Sequence, residues 1–454
     1  MQESLKGKKA LVIGLGESGL SVALLLKSTG VEVRVTDLNC GKEVLKNVQF
    51  LSSEGIEVEL GTHSKNFCKD VDFAVLSPGV PSDAPVLAWL QNDRIPVWGE
   101  LEFASRWLSG KTIAITGSNG KSTTATLLWK ILKESGFKTS LAGNIGRSLS
   151  RAILEDSEVE LWILEVSSFQ LEAIERFKPW ISLLLNVTAN HMDRYDRFED
   201  YIRAKLNIFK NQGLGDWALL NRSSLSLIPP GIKTLYINSR APEENGIYIH
   251  QGWIKGCIED VSYEIASLKE LKIRGTHYTE NVMFAAAAAI LCKAPIEMIR
   301  SVIQQFEGLE HRQEILGIWE GVTWVNDSKS TSVDAVRTAL EAFEGPILWI
   351  AGGRFKGGDF ESLKGLISHK VKEAHFYGEA SSVLTRCLKG TCPIFSHGPL
   401  QEAIENIRMR AKSGDTVILS PGCSSFDQFK NFEERGLFFK EQVSKLYALE
   451  TSRA

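Results

Sequence analysis

At 454 residues the chain is too long for one ordinary hydrophobic core, so two or three domains are expected. Its composition, 43% hydrophobic and 24% charged with a formal net charge of −3, is that of a soluble globular protein and leaves no broad basic face for nucleic acid. Seven cysteines without a CxxC pair point to reduced thiols in a cytosol. The apolar runs 161–164 and 181–185 are strand-sized, well short of a membrane span. Lys6, Lys8 and Lys9 lead directly into a strand, where a signal peptide would carry its apolar core. The expectation is a cytoplasmic protein that binds neither membrane nor nucleic acid.

The first segment alternates strands and helices: a strand over 9–13, a helix over 19–29 and a strand over 31–36 that ends at Asp37. The turn Gly14-Leu15-Gly16-Glu17-Ser18-Gly19 fits GxGxxG, and Asp37 falls where a ribose-binding acid stands in a dinucleotide fold. Two ligands suit that pattern, a nicotinamide dinucleotide or a nucleotide diphosphate held by the same amides. A further strand over 71–76 opens onto Ser77-Pro78-Gly79-Val80, at the sheet edge where such folds bind ligands.

The pattern breaks over 99–110, and a second α/β unit begins with a β-branched strand over 112–116. Gly117-Ser118-Asn119-Gly120-Lys121-Ser122-Thr123 follows, then a helix over 123–132. Strand, glycine loop, lysine, hydroxyl and helix N-terminus make a phosphate cradle: amides face the anion, Lys121 supplies a point charge, and a hydroxyl reaches magnesium. Two residues separate Gly117 from Gly120, where the common P-loop has four. An ATP site is expected here.

Downstream, the strand over 161–164 runs into Glu165, and the strand over 181–185 leads to Asn186, Asn190, His191 and Asp193. A carboxylate and an imidazole from two strand ends could hold a hard divalent ion against phosphate oxygens. Taken singly, Glu165 suits a helix N-cap and His191 a loop histidine bonded to backbone. Lys205 falls on a helix and by pattern alone is a solvated lysine. Residues 213–275 read as short strands and turns without chemistry, and 280–293 as an alanine-rich helix with Asn281 at its polar end.

A third α/β unit begins near His311-Arg312. Its strands over 322–325, 346–351 and 416–419 each end in a loop rich in Gly, Ser, Asp or Lys: 326–331, 352–358 and 420–427. That clustering predicts a ligand-facing edge. Lys356, between two glycine pairs, is the anion-binding candidate, with a solvated loop lysine as the alternative.

TGSNGKST (116–123), EVSSFQLE (165–172), NVTANHMDRY (186–195), NDSKST (326–331) and SPGCSSFDQFKNFEERG (420–436) together resemble the Mur ligases, over the whole chain. The short phosphate loop is shared with folylpolyglutamate synthases; the later motifs are similar to the branch that adds D-glutamate to UDP-N-acetylmuramoyl-L-alanine. The resemblance implies three α/β domains: a Rossmann-like one over 1–102 for the UDP substrate, a P-loop ATPase-type parallel sheet over 103–309 for ATP, and a Rossmann-like one over 310–454 for the amino acid. Ser18, Asp37, Ser77, Gly79 and Asn144 match UDP-substrate positions, and no NAD is expected.

By the same resemblance, Gly117 to Thr123 with Asn281, Arg312, Asp327 and Lys329 would contact ATP. Ser122, Glu165, His191 and Lys205 would attend two magnesium ions, with Lys205 carbamylated. Thr331, Lys356, Ser425 and Phe432 would surround D-glutamate. The implied enzyme is an ATP-dependent acid–amino-acid ligase, expected to act as a monomer. Two departures stand out: Asn190 replaces the usual Asp before the metal histidine, and Ser332 follows Thr331 where Asn is common. Alternatives are another ligase of this type, a dinucleotide-dependent oxidoreductase using residues 14–37, and a non-catalytic nucleotide switch.

Overall fold

A computed structural model describes residues 5–81, 83–188, 195, 197–222, 231–239, 245–272 and 275–451. The chain divides into two compact units, residues 1–271 with 277–305, and residues 272–276 with 306–454.

The first unit carries two sheets. In the first, β1 (Lys9–Ile13), β2 (Glu32–Asp37), β3 (Glu57–Leu60), β4 (Phe73–Leu76) and β5 (Val97–Gly99) lie in the order β3-β2-β1-β4-β5, with every pairing parallel. Alternation along β1 sends Ala10 and Val12 to one buried face and Leu11 and Ile13 to the other, so helices cover both sides. The strand order reverses beside β1, which puts residues 14–19 and 77–80 at a topological switch point.

The second sheet has nine strands: β6 (Lys111–Thr116), β7 (Thr139–Gly143), β8 (Leu161–Glu165), β9 (Ile181–Leu184), β10 (Trp217–Asn221), β11 (Lys233–Ile237), β12 (Gly246–His250), β13 (Trp253–Ile258) and β14 (Val261–Ser267). Their order is β14-β13-β12-β11-β10-β9-β6-β8-β7. Parallel pairing runs from β7 to β12; β13 and β14 then add an antiparallel edge. Both hairpins there close with two residues of positive φ, Gln251-Gly252 and Glu259-Asp260, the twist that lets antiparallel strands continue. The helix Thr276–Leu291 buries Ala285 to Ala289 completely, and those small side chains permit close backbone approach.

The break at 99–110 is no loose linker. Helix Glu100–Ala104 is entirely buried. Glu100 accepts from the Ser150 amide at 2.7 Å and hydroxyl at 2.8 Å, and Glu102 accepts from the amides of Glu175, Arg176 and Phe177 at 2.9–3.0 Å. These carboxylates staple the end of the first sheet to the second, because a buried acid must find donors.

In the second unit, β15 (Glu314–Trp319), β16 (Val322–Asn326), β17 (Ile347–Gly352), β18 (Val371–Tyr377), β19 (Ile394–His397) and β20 (Thr416–Gly422) form a sheet ordered β15-β16-β20-β17-β18-β19. All but the β15 edge pairing are parallel. Trp349 and Trp324 anchor the cores on opposite faces. Ser332 caps helix Val333–Ala342 by accepting from the Ala335 amide, so a hydroxyl does there what the commoner Asn would do.

Candidate functional site

The loop after β6 is built by its glycines. Gly120 adopts φ 85 at the N-cap of helix Lys121–Glu134, and a Cβ there would stand 2.3 Å from the Asn281 side-chain oxygen. Asn281 is therefore packed on the loop, at the polar end of the alanine helix as the sequence suggests. The Asn186 side chain clamps the loop from β9, its oxygen taking the Asn119 amide at 2.9 Å and its nitrogen donating to the Asn119 carbonyl at 3.1 Å. Ser118 donates to the Thr188 carbonyl and accepts from the Thr188 amide, both at 2.9 Å. The sequence marks Asn186 only as a loop residue; its clamp depends on register, Thr116 pairing with Leu184.

Three charged side chains converge on this loop. Lys121 Nζ donates to the Gly117 carbonyl at 2.9 Å and the Ser118 carbonyl at 3.0 Å. Lys205 Nζ, from helix Phe198–Leu206, donates to the same Gly117 carbonyl at 2.9 Å. Lys205 is 1% exposed, which corrects the solvated lysine of the pattern: helix periodicity cannot tell which face a loop from another strand will cover. Burial, and after it the neighbouring Lys121 ammonium, pulls the Lys205 amine down to about 7 against the pull of the Glu165 carboxylate.

Glu165 ends β8 opposite Ile115, which carries it to the side of the phosphate loop. It is no N-cap: Ser167 caps the next helix in a capping box with Gln170. Its Oε1 accepts from Asn144 Nδ2 at 3.0 Å, while Oε2 is buried and meets no hydrogen-bond donor among the described residues. A buried carboxylate oxygen left open and a buried hydroxyl on the phosphate loop (Ser122, 5% exposed) are donors of the kind that fit a hard divalent cation. His191 and Asn190 lie outside the described residues.

A cleft of about 1490 Å³ in the same unit is lined by Ser18, Asp37, Ser77, Gly79 and Asn144, all five of the residues matched to the UDP substrate. Gly14 cannot carry a Cβ, which would press within 2.9 Å of Ser77 and Val80; the Ser77 hydroxyl donates to the Gly14 carbonyl at 2.9 Å. Asp37 accepts from the amides of Leu15 at 2.5 Å and Asn39 at 2.7 Å. Asn144 joins the cleft to Glu165, and so to the phosphate loop.

In the second unit the three loops after β16, β17 and β20 share one sheet edge. Asp327 is buried, accepts from the Ser420 hydroxyl at 2.9 Å and the Gln313 amide at 3.1 Å, and is pushed up to about 7 by burial against those bonds. Lys329 Nζ stands 5.4 Å from the Phe432 ring centre, and Lys356 Nζ 5.4 Å from that of Phe426. Lys356 and Thr331 are exposed, Arg312 and Phe432 half-buried, and Ser425 buried.

A short phosphate loop, an adjoining open carboxylate and a nucleotide-sized cleft define a nucleotide-dependent enzyme, and the family is shown by comparison: the chain belongs to the Mur ligases. Its residues 8–99 match the MurD-like N-terminal domain, 115–289 the Mur ligase middle domain and 311–423 the Mur ligase glutamate ligase domain. It is 41% identical over 97% of its length to a protein of Acidobacterium capsulatum named UDP-N-acetylmuramoylalanine–D-glutamate ligase, of which it covers 96%. A protein of the same name from Desulfatibacillum aliphaticivorans is 38% identical over 98% of this chain and 100% of its own. In fold the chain is similar to a MurF ligase of Thermotoga maritima solved with ADP (TM-score 0.60, 15% identity, 91% of this chain and 95% of that one). It is likewise similar to a pseudomurein peptide ligase of Methanothermus fervidus (TM-score 0.59, 18% identity, 97% and 100%).

Proposed function

We propose that this chain is an ATP-dependent ligase that joins D-glutamate to UDP-N-acetylmuramoyl-L-alanine through an acyl phosphate, in the synthesis of peptidoglycan precursors. The observation that carries it is the Asn144–Glu165 hydrogen bond, which ties the cleft to the strand paired with the one that opens the phosphate loop, on a protein similar from end to end to ligases of that name.

The division of labour follows the three sheets. Residues 1–102 bind the UDP substrate through Ser18, Asp37, Ser77 and Gly79, with Asn144 joining from the second sheet. Residues 103–309 hold ATP on the amides of the phosphate loop, with Lys121 on its phosphates. Residues 310–454 take the amino acid through Thr331, Lys356, Ser425 and Phe432; Asn281, Arg312, Asp327 and Lys329 complete the nucleotide contacts. The enzyme works as a cytoplasmic monomer; among the described residues, no helix is long and apolar enough to cross a membrane.

A carboxylate is a poor acyl donor because its leaving group would be oxide. Transfer of the γ-phosphoryl group of ATP to that carboxylate makes phosphate the leaving group instead. The amine of D-glutamate then attacks the acyl carbon, and phosphate departs from a tetrahedral intermediate. Lys121 offsets charge on the phosphoryl oxygens during transfer, the main demand of such a step. Lys205, neutral above about pH 7, is able to add carbon dioxide with loss of a proton, forming a carbamate. Magnesium, two ions held by Ser122, Glu165, His191 and that carbamate, would neutralise phosphate charge. Asn144 fixes one Glu165 oxygen and thereby aims the other.

The test is phosphate release from ATP with UDP-N-acetylmuramoyl-L-alanine and a panel of amino acids. Turnover with D-glutamate is expected; turnover with L-alanine or a diamino acid in its place sinks the assignment.

A further inference from the structure

Among the described residues, Arg435 is the only arginine that is buried, at 0% exposure. Its Nε donates to the Ser328 hydroxyl at 3.0 Å and its Nη2 to the Ser328 carbonyl at 2.7 Å. Its Nη1 reaches the Cys423 carbonyl at 3.1 Å and the Tyr377 hydroxyl at 3.5 Å. Ser328 passes the connection on, its hydroxyl donating to the Phe432 carbonyl at 2.7 Å.

The acceptors belong to different strands. Ser328 follows β16, Cys423 follows β20, and Tyr377 ends β18. Gly353, just past β17, closes over the same group: a Cβ there would stand 3.3 Å from Nη1 and 2.2 Å from the Ser424 carbonyl. One guanidinium thus underlies the carboxyl ends of four parallel strands, the edge that bears Lys329, Thr331, Lys356 and Ser425. The rigid fork of arginine suits that task, since its donors diverge in a plane and a lysine could satisfy only part of the set.

Every acceptor is neutral, and among the described residues no carboxylate pairs with Arg435. Desolvating a cation without a counter-ion is costly, and neutral side chains could tie loops together more cheaply. A positive charge kept in that position is suited to an anion that arrives from outside.

We propose that Arg435 is a positioning residue for the incoming dicarboxylic amino acid: it holds the loops after β16, β17 and β20 in register and lends them a positive charge to which, among the described residues, no carboxylate is hydrogen-bonded. The inference rests on the amino-acid site assigned above to those loops.

Three variants separate the possibilities: Arg435→Lys keeps the charge and loses the fork, Arg435→Met loses both, and Ser425→Ala probes the site itself. For Arg435→Lys the KM for D-glutamate should rise about tenfold or more, with the KM for the UDP substrate within about twofold of the parent. Arg435→Met should show a larger rise, and Ser425→Ala should also raise the KM for D-glutamate. If Arg435→Met gives no cooperative melt, the Arg435→Lys values decide. An unchanged KM for D-glutamate in the Arg435 variants, with only kcat or melting temperature lowered while Ser425→Ala raises KM, overturns the inference and leaves the site standing. No rise in Ser425→Ala or in either Arg435 variant removes the amino-acid site from these loops, and the inference with it.

Discussion

The two glycine turns of the first unit, residues 14–19 and 117–120, share a backbone device and differ in charge. Each follows a buried parallel strand, and each leads into a helix with a glycine at its N-cap. In the first, the protein supplies its own anion: Asp37 accepts from the Leu15 amide. In the second, the Lys121 ammonium and the Lys205 amine meet on the Gly117 carbonyl, and Lys121 carries the standing positive charge. Amides at a strand-to-helix turn welcome an anion in either place, but side-chain charge decides how much negative charge the turn will take. The first turn suits a nucleotide whose sugar and base are read by a carboxylate, and the second a triphosphate.

Removing the cation from the second turn should break that comparison most severely. Lys121→Ala is expected to lower kcat by about 10²–10³-fold. Its binding of UDP-N-acetylmuramoyl-L-alanine, followed by calorimetry, should persist, because the first turn is untouched. Loss of both functions together would mean that the turns do not act separately.

Lys205→Ala should lose about 100-fold in activity, and short carboxylates such as acetate should restore part of it if a carbamate is the working group. The parent enzyme, stripped of carbon dioxide, should be reactivated by bicarbonate more fully as pH rises through about 7, since only the neutral amine reacts. Reactivation that falls with rising pH would exclude the carbamate.

Asp37→Ala sharpens the comparison from the other side. The KM for the UDP substrate should increase about tenfold, with the KM for ATP unchanged. A fluorescence titration with NADH should show no binding; oxidation of NADH would instead restore the dinucleotide alternative that the GxGxxG spacing permits.

The smallest effect is on stability. Asp327 has its folded value raised to about 7, above that of an unfolded aspartate, so the folded state holds the proton more tightly. The ionised group therefore costs stability, from nothing below the unfolded value to the full amount above about 7. Asp327→Asn should melt about 2–4 °C higher than the parent at pH 8, with the advantage fading toward pH 4, while losing ATP turnover. An advantage of the same size at both pH values would mean that ionisation of Asp327 is not its source.

Much of the fold was legible in the chain because local signals agreed. Strand 9–13 stands as expected, and the helix after Gly120 begins at Lys121 and ends at Glu134, a few residues beyond the 123–132 of the pattern. Hydrophobic period and glycine position act over a few residues, so they survive without tertiary context. The antiparallel edge of β13 and β14 was less visible, since short alternating strands do not announce their neighbours. The break at 99–110 was visible only as a break: nothing local tells that Glu100 and Glu102 are buried, because their donors lie about 50 to 75 residues away.

The sequence by itself determined the chemistry available: a phosphate loop with Lys121, an acid at the end of β8, and three polar loops on the last sheet. Tertiary structure alone decided which of these groups meet and in what state. Lys205 looked like a surface lysine until the fold placed it on the Gly117 carbonyl, where burial and a second ammonium strip its affinity for a proton. Arg435 is one residue of the last motif in the sequence, and only the fold sets its guanidinium under four strand ends. Residue type and spacing set what a side chain can do; distance, desolvation and neighbouring charge, which depend on contacts far apart in sequence, set what it does.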